Sequence, residues 1–286
     1  MNKIGIIADT ACDLTKELLE KNNIKTIPFY VNINGKEYLS GRDISVEEVF
    51  KYSKEHKCVP KTSQISMIDF IEKFEEYLKE YDEIIYIGLS SKFSGTYNNA
   101  RLAKEELESE YKDKIHIIDS HNLSSGIGLL LLKACKLRDL GKSAIEIVEE
   151  VNRCIPLVRT QFAINTLDYL HWGGRCSGTT HLFGSLLRIK PIIKVVDGGM
   201  MVAKKPIGKF EKALKVMLDM VSADKDNIDP DNVMVTHCLA NDDAKYLKEK
   251  VNEIIKADNV HETFADVIVS AHCGPRTIGI LYILNK

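Results

Sequence analysis

The chain has 286 residues, 44% of them apolar, with a net charge of −2 and 28% charged side chains of mixed sign. That length accommodates two domains of ordinary size, each with its own core, and the balanced charge leaves no basic stripe of the kind that neutralises nucleic-acid phosphates. The longest apolar run, residues 127–132, falls far short of the ~20 residues that span a bilayer, and Met1 to Lys3 lead directly into a strand without an export signal, so the sequence predicts a cytoplasmic protein. Its seven cysteines (Cys12, Cys58, Cys135, Cys154, Cys176, Cys238 and Cys273) are scattered and never spaced as Cys-x-x-Cys. They predict reduced thiols, neither a disulfide framework nor a zinc site.

Residues 3–8 form a short apolar strand, and Asp9-Thr10-Ala11-Cys12-Asp13 is a polar turn before a helix over about 15–23, which together make a βα unit. Residues 24–33 read as a second strand, joined through the Asn34-Gly35 turn to a hairpin partner over 36–39 that projects from the sheet. Ser45 with Glu48 makes a capping box for a helix to about His56. Val59-Pro60-Lys61-Thr62-Ser63-Gln64 then forms a polar loop, since Pro60 disfavours helix before it, and Ser66 opens a helix to about Tyr81. Ile84, Ile85, Tyr86 and Ile87 are the run expected of a strand buried on both faces. It ends at Gly88 and gives way to the hydroxyl-rich turn Ser90, Ser91, Ser94, Gly95, Thr96 and a helix carrying Tyr97, Ala100 and Leu102.

The strand over 114–119 repeats the pattern, ending in Asp119-Ser120, and a helix starting at Leu123-Ser124-Ser125-Gly126 follows. A second capping box, Ser143 with Glu146, opens a helix that ends near Pro156. This closes a first domain, residues 1–156, with a parallel sheet. Residues 157–286 make a second α/β domain with a mixed sheet. Its elements are a strand over 157–164, a short helix from Leu167 stopping at Trp172-Gly173-Gly174-Arg175, a hairpin over 189–203 and a helix over 209–221. A strand over 232–237, a helix over 242–255, a strand over 260–269 and a last strand over 277–284 complete it.

Strands ending in Asp, Ser or Thr are informative because ligands in open α/β sheets bind beyond the carboxyl ends of the strands. Hydroxyls and Gly95 at a helix start suit a carboxylate or phosphate oxygen. Ser94 equally fits a plain helix cap. Lys136 occupies the place where a P-loop ending in Gly141-Lys142-Ser143 needs its first Gly, and no GxGxxG occurs. No GxSxG elbow occurs either, although Ser94 and His272 could meet in space as a nucleophile and base. The eight histidines (56, 116, 121, 171, 181, 237, 261 and 272) never pair at zinc-binding helical spacing, so no metal site is expected. His272 stands apart, placed between an apolar strand and a Gly-Pro turn where a strand end would present it to a cleft. Arg175 beside paired glycines reads as a surface residue or as a fork for a phosphate or carboxylate of a partner.

Taken together, the chain resembles the DegV family, the fatty-acid-binding proteins of the FakB type. The resemblance rests on Asp9 to Leu14, Thr62-Ser63-Gln64, Ser90 to Tyr97, Asp119-Ser120, residues 167–175 ending in Gly-Gly-Arg, Lys190-Pro191-Ile192, and Ser270-Ala271-His272 with Gly274-Pro275. These appear in family order over nearly the whole chain. The resemblance implies two α/β domains holding one long-chain fatty acid between them, with no enzymatic activity of its own and no cofactor. A partner fatty acid kinase would phosphorylate the presented carboxylate to an acyl phosphate, with transient membrane contact for lipid exchange.

By the family pattern, Thr62, Ser94 and Gly95 bind the carboxylate, His272 supports that network, and Arg175 faces the kinase. Two positions depart from it. Arg276 stands where the family commonly has Gly in a Gly-Pro-Gly turn, which changes what that local turn can be and could also bring a cation to the carboxylate, and Lys204-Lys205-Pro206 replaces a Lys-x-Arg segment, which bears on the kinase contact or on a different partner surface. The alternatives are a serine hydrolase or acyltransferase using Ser94 and His272, and a lipid sensor without a kinase.

Overall fold

The computed structural model describes residues 2–175 and 189–285; Cys176 and His181 lie outside the described residues. In chain order the elements are β1 (Ile4–Asp9), α1 (Lys16–Lys21), β2 (Ile24–Ile27), β3 (Tyr30–Ile33), β4 (Lys36–Leu39), α2 (Val46–His56), β5 (Lys61–Ser63) and α3 (Met67–Leu78). Next come β6 (Glu83–Gly88), α4 (Thr96–Glu106), α5 (Ser109–Lys112), β7 (Ile115–Asp119), α6 (Ser125–Asp139) and α7 (Ala144–Cys154). The remainder is β8 (Val158–Ala163), α8 (Asp168–Trp172), β9 (Ile192–Val196), β10 (Gly199–Lys204), α9 (Phe210–Asp224), β11 (Ile228–Cys238), α10 (Asn241–Ile254), β12 (Val260–Phe264), α11 (Val267–Cys273) and β13 (Thr277–Leu284).

The first sheet is parallel throughout, in the order β2-β1-β6-β7. Its central strands are buried on both faces: every residue of β1 is buried, as is every residue of β6 after Glu83. The second sheet, β10-β9-β8-β13-β11-β12, is antiparallel except for the parallel β11–β12 pair. The expected parallel and mixed sheets are both present.

Helix α6 lies between the two sheets and touches β1, β6, β8, β11 and β13. Its first eight residues, Ser125 to Leu132, are all buried and mostly apolar, as a helical stretch without a solvent face must be, while Lys136 and Asp139 reach solvent near its end, and the two glycines near its start permit the approach. A Cβ on Gly126 would overlap Asn122 and Thr160, and one on Gly128 would press on Leu14. One continuous core consequently joins the first sheet to the inner face of the second, through Met234, Leu281 and Ile283. A separate core fills the outer face of the second sheet beneath α9 and α10.

Three expectations change. Residues 24–33 are two strands in different sheets: the chain breaks at Pro28, which has no N–H for a ladder, and β3 joins the small antiparallel sheet β4-β3-β5. The polar loop at 59–64 contains the third strand of that sheet, β5, which places Thr62 opposite Val31. Residues 260–269 are not one strand. β12 ends at Phe264 and the β-branched run Val267-Ile268-Val269 winds into α11, because tertiary packing overrides local strand preference. His272 therefore sits in the last turn of a buried helix, not at a strand end.

The hairpin turn behaves as its residues demand. Asn34 and Gly35 have φ of 54° and 80°, the left-handed pair that a two-residue hairpin needs. The capping boxes at Ser45/Glu48 and Ser143/Glu146 are both formed, and Ser66 makes another with Asp69.

Candidate functional site

Strand order reverses between β1 and β6, so the loops that follow them diverge and leave a crevice at their carboxyl ends. Asp9, the last residue of β1, is fully buried there. Its carboxylate accepts the Leu89 N–H at 2.8 Å, the Tyr86 hydroxyl at 2.9 Å and the Ala11 N–H at 3.2 Å, which fixes the path of the loop after β6. Burial raises its pKa to about 6 against the pull of those donors. Farther along the loop, the buried Ser90 hydroxyl donates to the Gly198 carbonyl at 2.8 Å and ties the first sheet to the β9–β10 turn.

Ser94 does not cap α4. Gly95 is the N-cap, without a side-chain bond, and Ser94 Oγ turns back to accept the Thr96 N–H at 3.2 Å while bonding the Thr96 hydroxyl at 2.8 Å. Gln64 lies directly over Gly95, where any Cβ would overlap its amide.

Facing this loop, Thr62 Oγ1 of β5 is 3.1 Å from His272 Nε2 of α11. His272 is nearly enclosed, and burial, followed by the neighbouring Arg175 charge, lowers its pKa to about 4. It is neutral at pH 7 and carries one ring proton. Its Nδ1 has no partner and lies where a Cβ of Gly173 would be. A buried N–H without an acceptor costs more than a bare lone pair, so the proton belongs on Nε2. Nε2–H then donates to Thr62 Oγ1, and the Thr62 hydroxyl is left to donate onward. Arg175 is exposed, with its guanidinium donating to the Gly173 carbonyl at 2.7 Å.

These groups line one cavity of about 450 Å³ between the sheets. Thr62, Ser63, Gln64, Ser94, Gly95, His272 and Arg175 supply its polar lining, while Phe29, Leu89, Phe93, Leu123, Leu170, Met200, Ile268 and Val269 make the rest predominantly apolar. A second cavity of about 30 Å³ lies behind the shared walls Leu123, Val269 and Cys273, against Phe162, Gly279 and Leu281 of the second sheet. The structure thus gathers all five residues singled out from the sequence, Thr62, Ser94, Gly95, Arg175 and His272, around one space.

Arg276 does not join them. At φ 58° it turns to the outer face, where its guanidinium grips Asp243 at 2.7 and 3.1 Å, bonds Glu211 at 3.1 Å and lies over the Phe210 ring. Nor do Ser94 and His272 form a nucleophile–base pair. Their hydrogen bonds go to Thr96 and Thr62, and an imidazole with a pKa near 4 is a weak base at neutral pH.

The sequence reading missed Asp9 and Asp266. A carboxylate ending a wholly apolar strand was the available signal for Asp9; Asp266 was concealed within the presumed strand. Among the described residues, no group of three His, Cys, Asp or Glu side chains is arranged to hold a metal ion, and no helix is long and apolar enough to cross a membrane. The described cysteines, Cys12, Cys58, Cys135, Cys154, Cys238 and Cys273, are free.

The fold and site define an α/β protein with two sheets closed around an amphipathic cavity. Residues 3–285 match the family described as "Uncharacterised protein, DegV family". The chain is 39% identical over 284 residues to a DegV domain-containing protein of Clostridium acetobutylicum, covering 99% of each chain. It therefore belongs to the DegV family. A Thermus thermophilus DegV protein described as fatty-acid-binding is similar in structure, with a TM-score of 0.91, 26% identity and 99% of each chain covered. A stearic-acid-binding protein of Eubacterium ventriosum is similar with a TM-score of 0.87 and 26% identity, over 100% of this chain and 99% of the other. A DegV-family structure from Ruminococcus gnavus containing vaccenic acid has a TM-score of 0.88 and 26% identity, over 97% of this chain and 99% of the other.

Proposed function

We propose that the protein holds one long-chain fatty acid non-covalently between its halves, residues 1–156 and 157–286, and presents the carboxylate to a separate fatty acid kinase for conversion to an acyl phosphate. The observation that carries this reading is a predominantly apolar cavity in which Thr62, Ser94 and the neutral His272 are uncharged polar groups, the lining cation Arg175 is exposed, and Ser94 and His272 do not pair as nucleophile and base. A carboxylate leaving water must be hydrogen-bonded. Hydroxyls supply those bonds without a buried cation that a phosphoryl-transfer step would have to displace. Each acyl CH₂ withdrawn from water contributes ~0.8 kcal/mol, so a long chain binds tightly with few polar contacts.

Arg175, exposed beside the cavity, is the group for the kinase, since a planar fork suits an acidic or phosphate group across an interface. The protein would act in the cytoplasm, with transient contact at a membrane for lipid exchange. Native mass spectrometry of protein purified from cells, before and after organic extraction, tests the binding step. The expected result is one non-covalent long-chain acid per chain. Protein that is empty and shows no saturable uptake of any C14 to C18 acid would overturn the reading.

A further inference from the structure

Helix α11 belongs by sequence to the second sheet, between β12 and β13, yet its polar ties run to the first half of the chain. At its carboxyl end His272 bonds Thr62. Just before its amino end, the Asp266 N–H donates to Asp13 Oδ1 at 2.8 Å, and the Asp266 carboxylate accepts the Ser40 hydroxyl. Asp13 is itself buried, in a left-handed turn at φ 51°, and its other oxygen accepts the Ser124 hydroxyl at the start of α6. Two neighbouring carboxylates thus pin the starts of α11 and α6 to the loop after β1 and to Ser40, the residue that follows β4. Hydroxyls and amides satisfy them, and among the described residues neither has an ion pair.

We propose that Asp13 and Asp266 act together as a proton-holding clasp that sets the pitch of α11, and through it the position of His272 against Thr62 and the ease with which the cavity opens. With one proton on the pair, a single negative charge is shared among the donors and the clasp is closed. When that proton leaves, two like charges without a counter-ion repel across the joint between α11 and the first sheet.

Burial raises both carboxylates, and the Asp266 charge raises Asp13 further, while Ser124 and the Asp266 amide oppose the rise at Asp13 and Ser40, Thr10 and the first amides of α11 oppose it at Asp266. The other ionisable groups around the pair reinforce this sign or face elsewhere. Asp9 adds negative charge from β1, and the thiols of Cys12, Cys238 and Cys273 are kept neutral by burial. In the open cleft behind the pair, Lys16 pairs with Glu20, Glu48 serves its helix cap, Asp43 accepts the Leu39 N–H, and Arg42 makes no ion pair with either carboxylate. Asp13 and Asp266 are positioning residues: neither lines the 450 Å³ cavity.

This inference rests on the fatty-acid reading for its functional consequence, but not for its structural one, so the test has two arms. In the first, release of a fluorescent C16 acid is timed from pH 5.5 to 8.5. The wild-type protein should release it roughly tenfold faster at the alkaline end, as two buried like charges without a counter-ion loosen the joint. Asp266→Asn, which keeps an acceptor but no titrating proton, should flatten the profile. Ser40→Ala removes a donor that favours the ionised form and should move the midpoint to higher pH; Asp9→Asn should leave an inflection from the pair in place.

In the second arm, hydrogen-exchange protection factors of the α11 amides are measured in ligand-free protein over the same range. They should fall with pH in the wild type and stay level in Asp266→Asn. Profiles unchanged in Asp266→Asn and Asp13→Asn, or a downward shift in Ser40→Ala, would overturn the clasp. An absence of any fatty-acid uptake with the exchange result intact would overturn the ligand reading alone.

Discussion

The two faces of the second sheet are completed by opposite means. On the outer face, a core beneath α9 and α10 is closed by a charged clamp at its edge, with Arg276 gripping Asp243 and Glu211 across the Phe210 ring. On the inner face, away from the Lys133–Asp229 and Lys136–Asp231 ion pairs that tie the far end of α6 to β11, the polar links nearest the cavity are uncharged donors: Thr160 to Asn122 at 2.7 Å, Ser125 to Thr236, Thr236 to Thr263 at 2.7 Å, and the Ser124 hydroxyl to the Asp13 carboxylate. Water screens the partly exposed outer clamp, where an ion pair costs little to form. A fixed cation in the interior would lose its hydration, and a buried pair regains that only with excellent geometry. Apart from the exposed Arg175, the side chains of the cavity's polar lining are uncharged, which suits it to a guest carboxylate.

The sharpest way to test this division is through Arg175, a cation that lines the inner cavity. If it serves the partner, Arg175→Ala should leave fatty-acid affinity nearly intact while acyl phosphate formation with the cognate kinase falls by roughly thirtyfold or more, the ~2 kcal/mol of an interfacial hot-spot arginine. Lipid binding and kinase-dependent phosphorylation measured side by side would decide it. A joint collapse would return Arg175 to the pocket.

The neutral donors come next. Each hydrogen bond to a charged group is worth roughly 1.5–3 kcal/mol, so Thr62→Ala and Ser94→Ala should each weaken binding by about tenfold or more with little loss of fold. The double variant should be markedly non-additive in a calorimetric titration, as for two groups sharing one partner. Unchanged affinity in both single variants would place the carboxylate elsewhere in the cleft.

The inner face should also govern the response to acid. His272 has a folded pKa lowered from 6.5 to about 4, so its contribution is fully present above about 6.5 and is lost as pH falls toward 4. That loss is on the order of 3 kcal/mol at ~1.4 kcal/mol per unit. Asp9 works in the reverse sense: raised from 3.8 to about 6, its contribution is present at low pH and lost as pH rises through 6. Urea denaturation between pH 7 and 4 should show a shallower acid loss in His272→Gln than in the wild type, and Asp9→Asn should steepen it. Parallel curves for all three proteins would remove both groups from the balance.

The smallest effect belongs to the outer face. Arg276→Gly loses the clamp but relieves a left-handed backbone that glycine adopts freely, whereas Arg276→Ala loses the clamp and keeps the strain. Thermal melts should rank the glycine variant above the alanine variant by about 1 kcal/mol, with fatty-acid binding unchanged in both. A binding defect in either would connect the two faces.

Sequence alone determined the parts governed by neighbours along the chain. The Ile84–Ile87 run could only be a doubly buried strand, Asn34-Gly35 could only close a tight hairpin, and Ser45/Glu48 and Ser143/Glu146 marked helix starts because each satisfies its own backbone amides within four residues. The hydroxyl motifs and their order were also legible, and they singled out Thr62 and Ser94, which line one cavity with His272. Tertiary structure decided the rest. β5 is too short to signal itself and exists because β3 offers it an edge; α11 is β-branched and helical because the core accepts its Val267, Ile268 and Ala271 side. Thr62 and His272 are 210 residues apart and meet only when that helix docks on the small sheet. Periodicity reports which face of an element is buried, but not what it is buried against. For that reason the cavity, the neutral state of His272 and the Asp13–Asp266 joint appear only once the two halves of the chain are packed together.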